Sequence, residues 1–119
     1  MKWTDLKSAP AAGTPVARTE DVDGVVALTV ETAAGAFPLL LVRLGDQVMG
    51  YVNVCPHQGL PLDFRSPRLL SQDGTKLMCS AHGAMFDAAT GTGVSGEGLG
   101  CALIHVPLTE KSGQITVAG

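Results

Sequence analysis

Two five-residue boxes, Cys55-Pro56-His57-Gln58-Gly59 and Cys79-Ser80-Ala81-His82-Gly83, hold two of the three cysteines and two of the three histidines of this 119-residue chain. Structural thiols and core histidines scatter along a sequence, so scarce types concentrated twice at short spacing point to coordination. Each box offers one thiolate and one imidazole from a loop. Two such loops facing each other supply two sulfurs and two nitrogens, and the fold is constrained to bring them together. A disulfide between Cys55 and Cys79 is a competing use of the thiols, but it leaves both histidines unexplained.

Zinc also accepts two cysteines and two histidines, but its structural sites group like ligands, as Cys-x(2 to 4)-Cys followed by His-x(3 to 5)-His. Here unlike ligands are grouped. That interleaving suits a binuclear [2Fe-2S] cluster in which each loop gives its cysteine to one iron and its histidine to the other. The pattern resembles the Rieske family. Box one continues as Cys55-Pro-His57-Gln-Gly59-Leu-Pro-Leu62, and box two as Cys79-Ser-Ala-His82-Gly83-Ala84-Met85-Phe86-Asp87 with Gly91 beyond it. Both resemble the family in their glycine, leucine and aromatic positions. Outside residues 50–107 the likeness is limited to short strands in a compatible order.

The resemblance implies an all-β fold of stacked antiparallel sheets, with a small cluster-binding subdomain formed by the two ligand loops. It implies one [2Fe-2S] cluster per chain, ligated by Cys55, His57, Cys79 and His82. In the family both histidine edges face solvent at the tip, so Gln58, Leu60, Pro61 and Ala81 would surround the electron exit, with Gly59, Gly83, Ala84 and Phe86 close by. For Pro61, loop geometry explains the residue equally well.

The chain departs from the family at several places. Residues 58–78, between His57 and Cys79, are several more than usual, with the surplus in Asp63–Gly74. The stretch Thr90-Gly-Thr-Gly-Val-Ser-Gly-Glu-Gly-Leu-Gly100 lacks the proline that commonly stiffens a loop over the cluster. Quinol-oxidising members carry an extra cysteine shortly after each ligand cysteine and join the two; Leu60 and Ala81 occupy those positions here, so that staple cannot form. High-potential members have serine where Ala84 stands and tyrosine where Phe86 stands. Cys101 lies far from both boxes and reads as a small buried hydrophobe.

A chain of 12.2 kDa is one small domain, residues 1–119, in which metal ligation would add to stability; the cluster-binding part is placed at approximately 53–100. A net charge of -3 with dispersed basic residues argues against nucleic acid as a partner. The start, Met1-Lys-Trp-Thr-Asp-Leu-Lys, lacks the apolar stretch of a signal peptide, and the longest apolar run, Phe37-Pro-Leu-Leu-Leu-Val42, is too short to span a membrane. The expectation is a soluble cytoplasmic protein, in a compartment where thiols stay reduced.

Strands are expected at Val25–Glu31, Phe37–Arg43 and Gln47–Asn53, apolar or β-branched runs separated by the turn-like Thr32-Ala-Ala-Gly35 and Leu44-Gly-Asp46. This meander delivers Cys55. Lys76–Cys79 and Ala84–Asp87 bracket the second box. Leu103–Leu108 and Gln114–Val117 are expected to form a closing hairpin around Glu110-Lys-Ser-Gly113. A short strand is expected around Trp3, followed by an irregular connection over residues 8–15. Fifteen glycines and seven prolines leave little uninterrupted helix.

Four protein ligands leave a cluster no open position for substrate, so its natural work is one-electron transfer. A mononuclear iron oxygenase site takes two histidines and a carboxylate, and after His57 and His82 are committed only His105 remains. The chain is therefore expected to be an electron-transfer protein rather than an enzyme in itself. The resemblance implies a Rieske-type ferredoxin that takes electrons from a flavin-dependent reductase and passes them to an oxygenase. A redox or regulatory subunit held permanently by a larger oxidoreductase, and a zinc-stabilised interaction module, use the same residues and remain open at this point.

Overall fold

The computed structural model describes residues 3–54, 62, 69–71, 74–78, 84–95 and 102–118. Among the described residues are ten strands: β1 Pro15–Arg18, β2 Val25–Thr32, β3 Gly35–Leu44, β4 Gln47–Val52, β5 Lys76–Met78, β6 Met85–Asp87, β7 Gly93–Ser95, β8 His105–Val106, β9 Leu108–Lys111 and β10 Gln114–Val117. Two 3-10 turns, Trp3–Asp5 and Thr19–Asp21, are the helical elements among the described residues. All strand pairs among the described residues are antiparallel. The chain divides into two compact units, Met1–Val52 with Ile104–Gly119, and Asn53–Leu103.

The first unit holds a four-stranded sheet in the order β2-β3-β4-β8 and a three-stranded sheet in the order β1-β10-β9. β3 occupies the interior of the larger sheet because its run is apolar on both faces: Phe37, Leu39, Leu40, Leu41 and Val42 are fully buried. β2 is an edge strand and alternates accordingly, with Ala27, Thr29 and Glu31 exposed and Val30 buried. Two-residue connections fix the register, since Thr32 pairs with Gly35 and Leu44 with Gln47. In the second connection Gly45 takes φ +60 at the first central position, where a side chain would be strained and a right-twisted hairpin needs glycine.

Two expectations need correction here. Of the Leu103–Leu108 run, Leu108 alone pairs with Gln114–Val117, through Val117. Pro107 has no N–H to give a ladder, and it splits the run. β8 pairs with β4 through Gly50↔Val106 and Tyr51↔His105, whereas β9 starts at Leu108 and pairs with β10. The second correction is that Trp3 begins a 3-10 turn rather than a strand. Its ring meets Phe37 edge to face at 6.4 Å and 76°, which places it against the larger sheet. β1 was not anticipated; it pairs with β10 through Ala17↔Ile115 and Arg18↔Gln114.

A side chain ties the larger sheet to the connection between β1 and β2. Arg43 on β3 donates from Nε to the Val22 carbonyl at 3.0 Å and from Nη2 to the Thr19 carbonyl. Gly50 allows a close approach: a Cβ there would stand 2.9 Å from both Leu108 Cδ1 and the Val106 carbonyl oxygen.

The second unit holds the sheet β5-β6-β7, paired through Lys76↔Asp87, Leu77↔Phe86, Met78↔Met85 and Phe86↔Gly93. Its described core is Leu62, Leu69, Leu77, Ala84, Phe86, Ala88 and Leu103, all buried. β5 is not an edge. Residues 69–71 run along its other side through the bridge Leu70↔Leu77, with the Met78 N–H donating to the Leu69 carbonyl at 2.7 Å. The end of the surplus segment 63–74 is thus built into the sheet; residues 63–68, 72 and 73 lie outside the described residues. β7 emerges within the glycine-rich stretch, and the bridge Thr92↔Ala102 pairs the two sides of it.

Candidate metal centre

Cys55, His57, Cys79 and His82 lie outside the described residues, as do Gln58, Gly59, Leu60, Pro61, Ala81, Gly83, Cys101 and residues 96–100 of the glycine-rich stretch. The structure describes what holds the two boxes by their ends, and both sets of anchors belong to the unit Asn53–Leu103.

The first box departs from β4, which ends at Val52. Asn53 follows, 6% exposed and the buried polar side chain of the described core. Its Oδ1 accepts the Leu62 N–H at 2.9 Å, and the Leu62 side chain is fully buried. The segment that carries Cys55 and His57 is therefore tied at its base by a side chain on one end and a backbone amide on the other. The second box is held differently: β5 and β6 run in register up to Met78↔Met85, so Cys79 and His82 fall in the connection of a hairpin. Below it, Asp87 Oδ1 accepts the Ala89 and Thr90 N–H groups at 2.8 and 3.1 Å and shapes the turn that leads to β7.

Ala84 and Phe86 are 1% and 0% exposed. Neither can donate a hydrogen bond from its side chain. The described flanks of both boxes are thus apolar and dry at Leu62, Ala84 and Phe86. Together with a donor set of two thiols and two imidazoles, such flanks fit a group ligated by thiolates and shielded from water. His105, the third histidine, lies in the other unit, exposed on β8, with its ring edge to face with buried Tyr51 at 5.9 Å.

Asn53 was missed in the sequence. The available signal was a lone amide side chain placed between an apolar strand and the first cysteine of a ligand box.

The family model for the Rieske [2Fe-2S] domain matches residues 13–108. The chain belongs to the Rieske [2Fe-2S] domain family, and its cofactor is a [2Fe-2S] cluster. None of the curated proteins compared matches it. Among solved structures it is similar to the ferredoxin of carbazole 1,9a-dioxygenase from Nocardioides aromaticivorans IC177, with TM-score 0.72 and 20% identity over 91% of this chain and 98% of that one. It is similar to a chain in the complex of reduced oxygenase and oxidized ferredoxin in carbazole 1,9a-dioxygenase, with TM-score 0.69 and 28% identity over 88% of this chain and 91% of that one. The terminal oxygenase of carbazole 1,9a-dioxygenase from Novosphingobium sp. KA1 shares the fold with TM-score 0.70 and 19% identity, over 90% of this chain and 30% of the oxygenase.

Proposed function

We propose that this chain is a Rieske-type ferredoxin, a one-electron carrier between a flavin-dependent reductase and a Rieske non-haem iron oxygenase. Cys55, His57, Cys79 and His82 ligate its cluster, and the whole of residues 1–119 works as one domain whose cluster-binding part is approximately 53–100. When bound, the cluster supplies reversible one-electron chemistry without an open coordination site. The chain's own residues tie the two ligand boxes at their described ends and keep the flanks at Leu62, Ala84 and Phe86 dry.

The observation that carries this reading is the family match over residues 13–108, together with the 28% identity to a chain of an oxygenase and ferredoxin complex. The donor rests on the family resemblance alone. Localisation in the cytoplasm fits reduced thiols; no helix among the described residues is long and apolar enough to cross a membrane.

The test is to purify the protein anaerobically and measure iron and acid-labile sulfide, then mix it with a flavin reductase and a Rieske oxygenase in stopped flow. Two irons and two sulfides per chain are expected, with bleaching by the reductase and recovery of colour with the oxygenase. A colourless protein containing zinc overturns the reading.

A second reading is favoured by the shared fold over 30% of a terminal oxygenase. In it the chain is a redox subunit held permanently by a larger enzyme. Size exclusion of the native protein separates the two: a carrier elutes as a small species, a fixed subunit with its enzyme.

A further inference from the structure

The two ligand boxes are secured by unlike means. Backbone pairing reaches Met78↔Met85 on both sides of the second box, so the sheet itself fixes where Cys79 and His82 start. On the first box the described strand is β4, which ends at Val52, and the far end of the box is described at Leu62, which lies in a turn. A bond across its base is made by the Asn53 side-chain Oδ1, which accepts the Leu62 N–H at 2.9 Å, with both residues buried. A side-chain amide does here what a ladder hydrogen bond does for the second box.

We infer that Asn53 is a positioning residue for the metal centre: its Oδ1 holds the base of the Cys55–His57 loop and thereby sets how tightly the cluster is kept and how that loop's two ligands are oriented. The inference rests on the ligand reading given above and names a determinant which that reading does not contain. Physically, a buried N–H that loses its acceptor pays the desolvation penalty of an unmade bond, and the chain can recover it only by opening to water. Opening at the base would release the tie between Asn53 and Leu62, the two described ends of the box that carries Cys55 and His57.

The experiment uses the holoprotein and three side chains at one position. Asn53→Leu keeps the volume and removes the acceptor, whereas Asn53→Asp keeps an acceptor oxygen in place. Cluster loss to an iron chelator is followed by visible absorbance. The reduced protein is examined by electron paramagnetic resonance, whose g values report ligand geometry. Asn53→Leu is expected to lose its cluster about tenfold faster than wild type, the factor corresponding to about 1.4 kcal/mol for one buried hydrogen bond. Its g values are expected to change and broaden. Asn53→Asp is expected to restore both.

Hydrogen exchange on the wild-type holoprotein needs no variant: the Leu62 amide should exchange far more slowly than a free peptide amide. Loss of the cluster at the wild-type rate with unchanged g values in Asn53→Leu overturns the inference, as does a Leu62 amide that exchanges freely, while iron and sulfide in the wild type still uphold the ligand reading. A wild type without iron and sulfide sinks the ligand reading itself, before any variant is compared.

Discussion

Glu110 on β9 accepts the backbone N–H of Val48 on β4 through Oε1 at 3.0 Å, while its Oε2 accepts the Thr19 hydroxyl at 3.4 Å. β8 pairs with β4 only at Gly50 and Tyr51, so the N–H of Val48 lies past the end of that short ladder. A carboxylate from the smaller sheet occupies that free edge. Glu110→Ala should leave the amide unsatisfied and destabilise the protein by about 1 kcal/mol, whereas Glu110→Gln keeps an acceptor and should lose less. Thermal unfolding of both variants checks this; equal melting temperatures for the two would show that the acceptor is not what matters.

Gly50→Ala introduces a Cβ 2.9 Å from Leu108 Cδ1 and from the Val106 carbonyl oxygen. Overpacking of this kind destabilises by about 1 to 3 kcal/mol. Shortening Leu108 to Ala in the same chain removes one of the two clashes, so the double variant should be less destabilised than the sum of the singles. Denaturant titration of the four proteins gives the coupling directly, and strict additivity would place the strain on the backbone of β8 alone.

With Cys55 and Cys79 as ligands, Cys55→Ser or Cys79→Ser should remove the visible colour and much of the stability, because metal-binding free energy is also folding free energy. Cys101→Ala should retain full iron content. Iron analysis and melting curves of the three variants suffice, and bleaching by Cys101→Ala with colour kept in Cys79→Ser would reassign the ligands.

Ala84 and Phe86 are buried and carry no donor, whereas high-potential Rieske proteins resemble this chain but have serine and tyrosine there. The potential is therefore expected in the lower part of the roughly -150 to +300 mV Rieske range. Donors to cluster sulfur favour the more negative reduced state. A hydrogen bond to a charged group is worth about 1.5 to 3 kcal/mol, so Ala84→Ser and Phe86→Tyr should each raise the potential by up to about 60 to 130 mV. Protein-film voltammetry measures it. Downward shifts in both variants would mean that the new hydroxyls find acceptors elsewhere in the buried core.

The meander β2-β3-β4 was legible because its strands are long, apolar and separated by two-residue turns, so the pattern is written locally. Elements fixed by distant partners were not. Pro15-Val-Ala-Arg18 becomes a strand only beside Gln114–Val117, and Gly93-Val-Ser95 only beside β6. Pro107 was visible, yet its effect, sending the residues on either side of it to different sheets, depends on where β4 and β10 stand. For the metal centre, the boxes announced themselves by composition. Asn53 did not, since its role depends on the direction of one carbonyl toward an amide nine residues on.

The anchors Leu62 and Leu69, both buried, bound the six-residue stretch 63–68, and beyond Leu69 the chain is already hydrogen-bonded along β5. The described flanks of the two boxes, Leu62 and β5, are thereby held on either side of that stretch. Residues gained or lost within 63–68 are therefore expected to leave both anchors in place, which makes the interval a place to graft a binding sequence or label.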